Sequence, residues 1–125
     1  MLIFIRMKKK ILIVDSNKKN TPSLKEFLTN LSGECHVSHE ADGRNVKEKS
    51  YDVIFVHLGT DAEGDRSADI VRKHQRDAFI VGMGGEYRHH YSEEDLASCD
   101  DYYQKGDTFT DKVEDLLNET GILQR

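Results

Sequence analysis

The sequence lacks a basic surplus, a long apolar run and a cysteine framework. Lys and Arg number 18 against 23 Asp and Glu, giving a formal net charge of -5. Nucleic-acid surfaces show a basic stripe that neutralises phosphates, so no nucleic-acid partner is expected. No stretch approaches the roughly 20 consecutive apolar residues of a membrane span, so no membrane partner is expected either. The opening run, Met1 to Ile5, is short and precedes its charges, Arg6 and Lys8 to Lys10. A secretion signal has the opposite order and a longer apolar core. The chain is therefore expected to be soluble and cytoplasmic, with Met7 an alternative start and residues 1–7 an extension of unassigned role. Only two cysteines occur, Cys35 and Cys99, far apart and in no metal-type spacing. They read as free thiols. Proline occurs once, at Pro22, and no repeat or low-complexity stretch divides the chain. The 125 residues fit one domain, placed over 8–121, large enough to form its own core.

What is present is alternation. Ile11 to Val14 is a continuous apolar run that ends in Asp15. Such a run between polar residues reads as a strand buried on both faces. Thr21-Pro22 supplies a helix start, Leu24, Phe27, Leu28 and Leu31 follow at helical spacing, and Gly33 is the stop. A short strand over Cys35 to His39 comes next, then a weak polar helix candidate over Ala41 to Lys49. Tyr51 to Leu58 contains the apolar run Val53 to Val56 and ends near His57. A helix is expected over Asp65 to Gln75, with Ala68 and Val71 inward. A fourth strand is expected over Ala78 to Val81, ended by a flexible turn at Gly82-Met83-Gly84-Gly85. Ser92 with Asp95, and Thr108 with Asp111, resemble capping boxes that open two further helices around a strand at Asp101 to Gln104. Phe109, Val113, Leu116 and Leu117 mark the inner face of the last helix, and Gly121 ends it.

Five strand–helix alternations predict one doubly wound α/β domain with a parallel five-stranded sheet. In such folds the chemistry sits at the carboxyl ends of the strands. Those ends carry Asp15-Ser16, His57, Met83-Gly84 and Lys105. Paired acids, a central aspartate, a hydroxyl and a lysine at these places would make a Mg²⁺-dependent phosphoryl-transfer site. Only Asp15 and Lys105 of that set stand here.

Three segments carry a resemblance. Lys10 to Asp15, Tyr51 to His57 and Cys99 to Lys105 together resemble the opening strand, third strand and fifth-strand segment of response-regulator receiver domains. The likeness covers roughly residues 8 to 118 in element order. It implies a flavodoxin-like (βα)5 fold with strand order 2-1-3-4-5, and a bacterial two-component or phosphorelay role. It also implies that Asp15, Ser16, His57, Met83 and Lys105 form the phosphorylation site in degenerate form. The acceptor aspartate is replaced by His57, the second acid by Ser16 and the switch hydroxyl by Met83. Gly106 follows Lys105 where the family has a cis proline. The implied reading is a pseudo-receiver that is not an enzyme and has neither catalytic residues, metal nor cofactor. Its partner would be a histidine kinase, another regulator or an output protein. The resemblance places the docking surface, and a homodimer contact, on the fourth helix, fifth strand and fifth helix, with Tyr102 as switch residue and Tyr103 beside it. No separate output domain is expected.

Sharper readings stand beside plain ones. His57 is a phosphoryl carrier or, more simply, a histidine that fills the acceptor slot against Asp15 and Lys105. Those three residues could also form a small-anion site. His89-His90 with Glu86 would suit zinc only if their side chains converged, and exposed loop histidines are the simpler reading. His36 and His39 lie near a strand, and Asp61, Glu63 and Asp65 read as a solvated acidic face.

Overall fold

The computed structural model describes residues 9–15, 21–31, 36–40, 50–58 and 66–120. The predicted helix over 41–49, the stop signals Gly33 and Gly121, Cys35 and the extension over 1–7 lie outside them. The described elements are β1 Lys10–Val14, α1 Thr21–Leu31, β2 His36–Glu40, β3 Val53–His57, α2 Ser67–His74, β4 Phe79–Gly84, α3 Glu93–Ala97, β5 Asp101–Gln104 and α4 Phe109–Glu119. A 3₁₀ turn, Arg88–His90, lies between β4 and α3. The strands form one parallel sheet, as the alternation predicted, in the order β2-β1-β3-β4-β5 that the resemblance implied.

The central strands are apolar throughout because both of their faces are covered. Successive side chains alternate across the sheet. Ile11, Ile13, Val53 and Phe55 therefore face one way, packed with Leu24 and Leu28 of α1 and Val113, Leu116 and Leu117 of α4. Leu12, Val14, Ile54 and Val56 face the other way, against Ala68 and Val71 of α2. At ~25 cal/mol per Å² of apolar surface removed from water, these layers are the main force holding the fold. The Asp52 carboxylate ties the start of the sheet, accepting from the Lys10 amide at 2.8 Å.

Strand β4 differs from the expectation. It runs three residues beyond Val81, and Gly82, Met83 and Gly84 are buried and paired with Tyr102, Tyr103 and Gln104 of β5. These glycines are not a mobile turn. A Cβ at Gly82 would lie 3.0 Å from Cys99 Sγ and 3.1 Å from Leu58, so the small residue serves close packing inside a ladder. Capping also splits. Ser92 Oγ accepts from the Asp95 amide at 3.1 Å, as its spacing predicted. Thr108 makes no side-chain cap bond, because its backbone already has helical φ and ψ and no longer takes the extended cap geometry.

Candidate functional site

The carboxyl end of the sheet collects four of the five predicted site residues; Ser16 lies outside the described residues. Asp15 follows β1 directly. Its amide donates to the Glu40 carbonyl at 3.1 Å, and His39 Nε2 lies 2.8 Å from its own carbonyl. These backbone bonds fix the carboxylate, whose side chain is only 2% exposed. Lys105 follows β5, where its amide donates to the Gly84 carbonyl at 2.7 Å. Its Nζ reaches back 3.3 Å to Asp15 Oδ2, across 90 residues of sequence. A buried carboxylate needs such a partner to remain charged.

His57 ends β3 in register with Met83. It is half-buried, and burial is the first cause that holds its imidazole below the ordinary 6.5, with the Lys105 charge adding to it. Asp15 and the hydrogen bond with the Leu58 backbone pull the other way and do not overcome it. Burial therefore favours the neutral form of His57. The backbone behind it is pinned by the Leu58 amide, which donates to the Met83 carbonyl at 2.9 Å. Met83 is 1% exposed and belongs to the α1/α4 core. It brings no hydroxyl to the site.

Tyr102 and Tyr103 are adjacent in sequence but sit on opposite faces of the sheet. Tyr103 is buried in the α1/α4 layer, under the Lys112 ammonium 5.9 Å from its ring centre, and burial pushes its hydroxyl up to about 12. Strand alternation turns it inward beneath α4. Tyr102 is buried on the α2/α3 face. Its hydroxyl donates to the Glu86 carbonyl, and its ring lies 5.1 Å from that of Tyr91 at an interplanar angle of 50°. Burial, followed by the hydrogen bond with Tyr91, raises its pKa. The Tyr102 side chain thus points inward.

Tyr91 is the residue that sequence reasoning missed. Its hydroxyl lies over Gly84 and accepts from the Glu86 amide at 3.4 Å. A Cβ at Gly84 would stand 2.8 Å from Tyr91 Cζ and 3.2 Å from the Tyr102 hydroxyl. Gly84 is therefore a cradle for two tyrosine hydroxyls. The sequence signal was present in Gly84 with Tyr91 seven residues on, but nothing local says that the chain returns. The histidines do not converge on a metal. His89 and His90 are exposed, with ring centres 4.4 Å apart and planes tilted by 35°, and no group of three or more possible ligands occurs among the described residues. The acidic loop residues Asp61, Glu63 and Asp65 lie outside those residues.

The folded chain is similar to several solved proteins. A response regulator receiver domain (CheY-like) from Methylobacillus flagellatus matches with TM-score 0.73 and 17% identity, over 91% of this chain and 99% of that one. The response regulator TrrA from Thermotoga maritima, solved with Mg²⁺ and BeF, matches at 0.70 and 23%, over 90% and 98%. A putative pilus assembly-related protein from Burkholderia pseudomallei matches at 0.66 and 8%, over 100% and 98%. The fold is that of a receiver domain. No family model and no curated protein matches the sequence.

The receiver fold implies Mg²⁺ at this end of the sheet, and the residues described here do not fit it. Mg²⁺ demands an octahedron of oxygen ligands and sheds its waters reluctantly. Asp15 is the one carboxylate among the four described site residues, and the Lys105 ammonium already holds it. The central position offers imidazole nitrogen and the fourth-strand position a thioether. No step through a metal follows from this set.

Proposed function

We propose that the chain is an atypical receiver module that transmits a signal by docking to a protein, without an aspartyl phosphate and without enzymatic activity. The observation that carries this reading is His57, a half-buried imidazole that ends β3 at the acceptor position of a receiver fold. Imidazole cannot form an acyl phosphate, and the lysine that would balance the phosphoryl charge is already paired with Asp15. The docking face is α3, β5 and α4, the fourth-helix, fifth-strand and fifth-helix surface of the receiver likeness. On it Tyr102, held inward by Tyr91 and the Glu86 carbonyl, is the two-position element that a switch requires. A histidine kinase, another regulator, an output protein or a second copy of the chain would read this face.

A second reading has its own support. An unprotonated imidazole beside a lysine ammonium is the nucleophilic form, next to a group that attracts phosphoryl oxygens. His57 would then carry phosphate on nitrogen. Incubation with acetyl phosphate and Mg²⁺, read by intact mass, separates the two. No mass gain is expected. An acid-labile, base-stable gain that disappears in His57→Ala would replace the first reading with the second.

A further inference from the structure

We infer that the cavity between α1, α4 and the carboxyl ends of β1 and β4 is a binding site for a small uncharged molecule with an apolar body and one carbonyl, amide or phenol oxygen. This goes beyond the docking role: Tyr102 lies on the other face of the sheet, and α4 borders both sites.

Size sets the first limit. The cavity measures about 240 Å³. An apolar cavity of about 150 Å³ stays dry and admits benzene, whereas sites for drug-sized ligands begin near ~300 Å³. One ring or a short branched chain fits; a peptide helix does not. The walls set the second limit. Leu24 and Phe27 of α1, Ile13 of β1, Met83 of β4 and Phe109 of α4 form an apolar lining. Water gains little there, so an apolar body displaces it favourably.

Charge sets the third limit. The polar end of the cavity is the Asp15–Lys105 pair. A carboxylate head would lie beside the Asp15 carboxylate, and an ammonium head beside Lys105. Desolvating either is opposed by the like charge already present. A neutral oxygen meets neither penalty. Lys105 Nζ has three N–H donors, only one of which is needed for Asp15 Oδ2, so another is available for an acceptor. The Thr110 side chain lies at the same cavity and supplies a hydroxyl for a donor or acceptor on the ligand.

The test uses the full chain, ¹⁵N-labelled, titrated with benzamide, benzoate and benzylamine. Benzamide is expected to shift the amides of Leu24, Phe27, Met83 and Phe109 saturably, with both charged analogues weaker by about tenfold. Leu24→Phe, which fills the cavity from α1, is expected to abolish these shifts. Thr110→Met fills it from an exposed helix position and does the same should Leu24→Phe misfold. Saturable local shifts lost in a filling variant support the site. Absent or scattered shifts, benzoate binding as tight as benzamide, or shifts that survive both fillings overturn it.

Discussion

The two faces of the sheet are built on different physics. Against α1 and α4 the contacts are apolar: Leu28, Val113 and Leu117 are fully buried on Ile11, Phe55 and Val81. On the other face the strand residues Leu12, Val14, Ile54, Val56 and Ile80 are as fully buried, but the helices bring less: α2 buries only Ser67, Ala68 and Val71, and α3 buries nothing. Polar groups strap that side together instead. Arg66 pairs with Glu94 and lies 3.6 Å from Asp95, and Ser98 Oγ donates to Asp69. Arg72 donates to the carbonyls of Ser98, Arg76 and Ala78 and to the Asp100 carboxylate at 2.8–3.1 Å. Asp100 in turn accepts from the Ile80 amide at 2.8 Å.

Burial of apolar area is non-directional and has no substitute in water, so the α1/α4 face should open only with global unfolding. Polar straps can be exchanged for water bonds at modest net cost. A face held that way is suited to local rearrangement. The Tyr91–Tyr102 pair sits on the strapped face, and the small cavity sits on the apolar one. On the proposed readings, a switch and a rigid pocket draw on opposite kinds of packing.

Leu28→Ala tests the apolar face most severely. It removes a fully buried side chain, and a loss of about 2–5 kcal/mol in urea denaturation is expected. A loss comparable to an exposed position would mean that α1 is not held by this layer. Arg72→Ala should cost less, about 1–3 kcal/mol, because its side chain is part-exposed and water can replace some of its bonds. Its signature lies elsewhere. Hydrogen exchange should quicken at Leu96 and Cys99 while the amides of β1 and β3 stay protected. Uniform acceleration would erase the distinction between the faces.

The smallest effect concerns His57, at the carboxyl end of β3. Its folded pKa is lowered from 6.5, so between those values the unfolded chain binds more protons than the folded one. This contribution favours folding above about pH 6.5 and is lost as pH falls through it. His57→Gln should therefore show a shallower decline in urea midpoint between about pH 7.5 and 5.5 than the parent chain. An identical decline would place the acid sensitivity on other groups.

Much of the fold was legible in the residues. Ile11 to Val14 and Val53 to Val56 admit no exposed face, and the helical spacing of Leu24 and Leu28, or Val113 and Leu117, leaves one apolar stripe for the sheet. Turn chemistry was less legible. Gly82-Met83-Gly84 reads locally as a loop, and only pairing with β5 makes it a strand. The site was half legible. Asp15 and Lys105 stand at strand ends in the sequence, but their ion pair depends on β5 arriving with only β3 and β4 between it and β1.

By itself, then, the sequence determined the parallel alternation of strands and helices, because side-chain periodicity is a local property of the backbone. It also determined that β3 ends in an imidazole, His57, because that is a matter of residue identity. Tertiary structure alone decided that Tyr103 turns under α4, that Tyr91 returns to cover Gly84, and that Asp15 is neutralised by Lys105. Each of these depends on groups far apart in the chain meeting at atomic distance, and burial and pairing energies act only once the sheet has brought them together.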